Sequence, residues 1–112
     1  MKRVIPLLFL ALTACKSEMP PMPSDVLPVE KMKMILADMQ IADAVAETKA
    51  LGGANERILS EEYYGRIYQL HHVTPEQFTA SMKFYETHPV WLNKLYDEIL
   101  TELSKRSADV SK

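Results

Sequence analysis

One cysteine and three histidines are the side chains here best suited to chemistry. Cys15 closes the run Leu12-Thr13-Ala14-Cys15, behind an apolar stretch from Val4 to Leu12 and a basic start, Met1-Lys2-Arg3. A positive end, a short apolar core and small residues before a cut make a secretory signal. The stretch is far short of the roughly 20 residues that cross a bilayer core. A thiol directly after the cut is the nucleophile that accepts a diacylglycerol group. The spacing therefore predicts a cleaved lipoprotein signal over 1–14 and an acylated Cys15 as the new amino terminus. No internal disulfide can form, since Cys15 is the only cysteine. Each buried CH₂ of an attached chain contributes about 0.8 kcal/mol of membrane affinity, and two or more chains make attachment durable.

His71-His72 and His88 raise the question of a metal. Adjacent histidines on a helix point about 100° apart. No His-Glu-x-x-His run or cysteine partner accompanies them. Helix-terminal roles, where a cationic imidazole meets the negative end of the dipole, account for them. Asp43 and Glu47 share a helix face at i, i+4 but have no nucleophile or oxyanion donor beside them. Asp38 lies next to an apolar stripe and is expected to bond a Tyr hydroxyl or cap a neighbouring helix. No catalytic residue, metal site or cofactor is expected. Five Tyr and one Trp supply rings for the core and hydroxyls for its rim. Trp91 and Tyr64 are the aromatics expected to remain exposed for a protein partner. Met34, off the main stripe, joins them.

Charge narrows the partners. Loss of Lys2 and Arg3 with the signal leaves eleven basic against fifteen acidic residues, a net charge of −4. An acidic body lacks the basic face that nucleic acid requires and is a poor candidate for lying flat on anionic lipid. The membrane link is then the acyl group. Lys16, where an Asp would favour the inner membrane, points to the outer membrane. The domain would face either the periplasm or the exterior.

The elements that must position these residues are helical. Residues 15–27 carry Pro20, Pro21 and Pro23 and read as a tether. In extended form, at ~3.1 Å per residue, it holds a domain up to roughly 35 Å from the headgroups. Residues 28–106 read as one small all-α domain, a bundle of about four helices, and 107–112 as a frayed tail. The first helix spans 28–51, with Val29, Met32, Ile35, Leu36, Met39, Ala42 and Ala46 on one face, and ends at Gly52-Gly53. The second runs from Asn55 or Ser60 to His71. The third opens on Thr74-Pro75-Glu76-Gln77, a capping Thr followed by Pro at the first helical position. Phe78, Met82 and Tyr85 line it. The fourth runs from Pro89 to Lys105 on Leu92, Leu95, Tyr96, Ile99 and Leu103.

Three blocks carry a family resemblance. They are Met32-x-x-Ile35-Leu36-x-Asp38-Met39-x-x-Ala42-Asp43, then Tyr64-x-x-Ile67-Tyr68-x-Leu70-His71-x-Val73-Thr74-x-Glu76-Gln77-Phe78-x-x-Ser81, then Tyr85-x-x-x-Pro89-x-x-Leu92-x-x-Leu95-Tyr96-Asp97. From Leu27 onward the chain resembles small Bacteroidota lipoproteins catalogued as domain of unknown function 4296. The resemblance implies a helical fold and a lipoprotein, and it carries no activity. Such sequences are expected to have Gly at the exit of the second helix. His72 stands there, a residue that tolerates the left-handed region better than most.

The resulting expectation is a non-enzymatic, lipid-anchored envelope protein that binds another envelope protein as an accessory module at the outer membrane. The alternative is a small-molecule or glycan binding module.

Overall fold

The computed structural model describes residues 20–111, which form four helices: α1 (Val29–Leu51), α2 (Glu56–Leu70), α3 (Pro75–Glu86) and α4 (Pro89–Val110). The Leu12-Thr13-Ala14-Cys15 run lies outside the described residues. Each helix start has a local cause. Asn55 Oδ1 accepts the N–H of Ile58, and Thr74 Oγ1 accepts that of Gln77. Each bond satisfies one of the donors that a helix N-terminus leaves open. Pro75 and Pro89 occupy the first turns of α3 and α4, where a missing N–H costs nothing.

Two helices end in the same motif. At the exit of α1, Gly53 adopts φ 98°. Its N–H meets the carbonyl of Ala50, and that of Ala54 meets Lys49. At the exit of α2, His72 adopts φ 57°, with His72 N–H on Gln69 and Val73 N–H on Tyr68. Both are Schellman closures, which want glycine at the left-handed position. His72 fills that position with a side chain, at a cost of about 1 kcal/mol. His72→Gly should therefore raise stability by about 0.5 kcal/mol, part of the relief being offset by a more flexible unfolded chain. A higher urea midpoint at unchanged slope would show it. A lower midpoint would mean that the imidazole contributes contacts of its own.

α1 is the central helix, packed along α2 on one side and α4 on the other. That is why it buries Ala37 as well as the anticipated Met32, Ile35, Met39, Ala42 and Ala46. Leu36, expected in the same stripe, is only half-buried. α2 runs antiparallel to α1, since Asp43 pairs with Tyr64 and Asp38 with His71. α4 runs parallel to α1, since Lys33 pairs with Glu98 and Asp38 with Arg106. α3 folds back on α4 and meets α2 through Tyr68 and Phe78, whose ring centroids lie 5.5 Å apart. Met32, Ile35, Tyr85 and Leu95 are the large side chains sealed at the centre, together with the polar Ser81.

Two expectations about the ends are corrected. α4 continues to Val110 where the fourth helix was expected to stop near Lys105. No Gly or Pro interrupts that segment, and Arg106 ties it to Glu102 and to Asp38. At the other end, residues 20–27 do not stand apart as a spacer. Leu27 is buried, and Met22 and Val26 pack against the core.

Candidate functional site

Three features organise this molecule, and each joins parts distant in sequence. The first is a polar node centred on Asp38. One carboxylate oxygen accepts from His71 Nε2 at 2.6 Å and the other from Arg106 Nη1 at 2.6 Å. Arg106 Nε donates to Glu102 at 3.0 Å, and Nη2 approaches Met34 Sδ at 3.9 Å. Hydrogen bonding to Asp38 raises the Arg106 pKa further above its ordinary value. The Arg106 hydrogen bond holds Glu102 below the usual carboxylate range. Charge-assisted bonds of this length are stronger than neutral ones. The node thus pins the α2 exit and the last turns of α4 to the middle of α1. Asp38 neither bonds a tyrosine nor caps a helix, as had been expected. Arg106 was missed because the fourth helix was expected to end at Lys105, just before it. Its i, i+4 spacing from Glu102 was the available signal.

The second feature is a strap. The N–H of Leu27 donates to Ser81 Oγ at 2.9 Å, and the Tyr85 hydroxyl donates to the carbonyl of Leu27 at 2.7 Å. Trp91 Nε1 donates to the carbonyl of Pro20 at 2.8 Å. Ser81 Oγ in turn donates to Gln77. Burial pushes the Tyr85 hydroxyl up to about 12. Ser81 gave a faint sequence signal as the small residue one turn before Tyr85. Its partner, 54 residues away, could not be read from spacing.

The third feature is a groove of about 510 Å³ lined by Leu36, Gln40, Met82, Leu95, Ile99 and Leu103, with Tyr96 and Leu100 at its rim. Those two are 53% and 64% exposed. The lining is overwhelmingly apolar, which sets it apart from a site that orients a small ligand through several placed polar groups.

The residues singled out in the sequence fall differently. Trp91 and Tyr64 are not the exposed aromatics: both are half-buried with their polar atoms occupied. The Tyr64 hydroxyl donates to both Asp43 oxygens at 2.8 Å. Burial, then that bond, pushes it up to about 12. Met34 is half-buried beside Arg106. Among the described residues the exposed aromatic is Tyr96. His88 stacks on Phe84 at 4.0 Å between centroids, with Nδ1 donating to the Phe84 carbonyl at 2.7 Å. Asp43 and Glu47 form no pair. Among the described residues no group of three His, Cys, Asp or Glu side chains is placed to hold a metal ion. No helix among them is long and apolar enough to cross a membrane.

A family model described as Domain of unknown function (DUF4296) matches residues 23–109. The chain belongs to the DUF4296 family. The match begins within the strap and ends at the last turn of α4. The DUF4296 unit thus includes both the segment held by Ser81 and Tyr85 and the helical extension held by Asp38. No curated protein and no solved structure matches the chain.

Proposed function

We propose that this DUF4296 protein is a non-enzymatic, lipid-anchored module of the cell envelope. Acylated Cys15 moors it to the outer membrane, and the groove beside α4 receives an apolar segment of another envelope protein. The groove carries this reading. From Leu95 to Leu103 it runs about 12 Å along α4, at 1.5 Å per residue, enough for roughly two turns of a partner helix. Tyr96 and Leu100 stand at its rim as large, solvated anchors. The order of basic, apolar and small residues before Cys15 supports the anchorage. The engagement of His71, Asp38 and His88 in structural bonds supports a role without bond-making.

The acylated protein, used as bait in native membranes under mild detergent, tests it. A specific envelope protein should be captured, and Leu100→Glu should reduce capture at least about tenfold, as loss of a hot-spot contact does. The melting temperature should stay unchanged, because Leu100 is largely solvated. Recovery of the bait alone, or equal capture by the variant, would refute the reading. The alternative, a small-molecule or glycan site, draws on the same volume. It would show as a ligand that stabilises the purified protein and is lost in the same variant.

A further inference from the structure

We propose that the pole built from the α3–α4 turn is the membrane-proximal surface of this protein and rides at the lipid headgroups. The proposal rests on the reading of Cys15 as acylated and adds an orientation to it. Trp91, in the first turn of α4, holds the carbonyl of Pro20. Leu27, held by Ser81 and Tyr85, fixes the other end of the strap. Five residues along the chain separate Pro20 from Cys15. Whatever their conformation, covalent geometry limits that separation to about 18 Å. The strap thus removes about half of the ~35 Å reach that an extended 15–27 tether would have.

Helix directions decide which surface is held close. α1 and α4 run parallel and α3 runs against α4. The start of α4, the end of α3 and the strap therefore share one pole. That pole exposes Pro89 and Val90 among the polar Glu86 and Thr87, beside half-buried Trp91 and Phe84, a mixed apolar and polar tip of the kind found at the headgroup level. The opposite pole is the Gly52–Asn55 turn. It lies a helix length away, about 35 Å for the 23 residues of α1. A separation of at most about 18 Å between Cys15 and Pro20 keeps the first pole near the lipid and leaves the second to project outward. The groove begins at Leu95, about 9 Å along α4 from the near pole, so its partner must present its segment close to the membrane.

The test uses the acylated mature protein on vesicles of phosphatidylethanolamine with a minority of phosphatidylglycerol. Val90→Cys and Ala54→Cys are labelled separately with a fluorophore, and quenching by headgroup-labelled lipid is read. Quenching at position 90 should be several-fold stronger than at position 54. Trp91→Phe keeps an aromatic ring but loses the donor to Pro20, and should reduce quenching at position 90 while helicity is retained. Equal quenching at both positions in protein that is acylated and sediments with vesicles would overturn the orientation alone. An unmodified Cys15 by mass spectrometry, with no sedimentation, would overturn the anchorage and this proposal with it.

Discussion

Tyr85→Ala should cost about 3–5 kcal/mol of folding stability, the range for deleting a buried aromatic side chain. Tyr85 has no exposed surface, packs edge-on against Phe84 and holds the strap through its hydroxyl. For a domain of this size the whole stability is only about 5–15 kcal/mol, so urea unfolding should show a large shift or complete loss of the folded baseline. Tyr85→Phe separates the two contributions. It keeps the ring and leaves the Leu27 carbonyl unpaired, for a cost of about 1–3 kcal/mol. The hydroxyl also gives a pH signature. Its pKa is about 12 in the folded protein against 10.0 for the free group. Between those values the unfolded chain has lost the proton that the folded chain keeps, so stability falls as pH rises from about 10 towards 12. Below pH 10 this contribution is fully present. Melts recorded across that window should fall less steeply for Tyr85→Phe than for the parent. Tyr64, with its own pKa raised to about 12, accounts for part of the remaining slope. Equal stability of Tyr85→Phe and parent would show that the strap adds nothing to the fold.

Asp38→Ala should be the second large loss, about 2–3 kcal/mol. Removing one partner of a buried pair costs about 3–5 kcal/mol. The Asp38 side chain retains 21% of its exposure, so water recovers part of that. The substitution strips the acceptor from His71 and from Arg106 together, leaving a guanidinium at 26% exposure with Glu102 as its remaining carboxylate. Arg106→Ala should cost less, because Asp38 keeps His71. In the double variant the losses should fall short of the sum by at least about 0.5 kcal/mol, as expected for directly bonded residues. Additive losses in chemical denaturation would mean that the node is ornamental and that packing alone joins α4 to α1.

The difference between these two sites shows what could be read in advance. Tyr85 stood on a recognisable stripe with Phe78 and Met82, so its burial was foreseeable. Its bond to Leu27 was not, because helical spacing says nothing about a partner 58 residues away. Asp38 was recognised as unusual beside apolar neighbours, yet its partners come from two other helices. The same limit explains Trp91 and Tyr64. Their ring chemistry suited exposure or burial equally, and the fate of each was settled by an acceptor elsewhere, the Pro20 carbonyl and the Asp43 carboxylate.

Local sequence by itself determined the number of helices, the starts of the third at Thr74-Pro75 and the fourth at Pro89, and the closure at Gly53, because capping and φ preference act within a few residues; it left the second helix to begin at Asn55 or Ser60. It also set the central stripe of α1 through helical periodicity. Only the tertiary structure decided that α1 would be flanked on two sides, that the proline-rich segment would be strapped down, that α4 would run on past Lys105, and that Tyr96 would be left in water where Trp91 and Tyr64 are not. Those outcomes depend on hydrogen bonds and packing between residues dozens of positions apart, and such pairings are chosen by the assembled core.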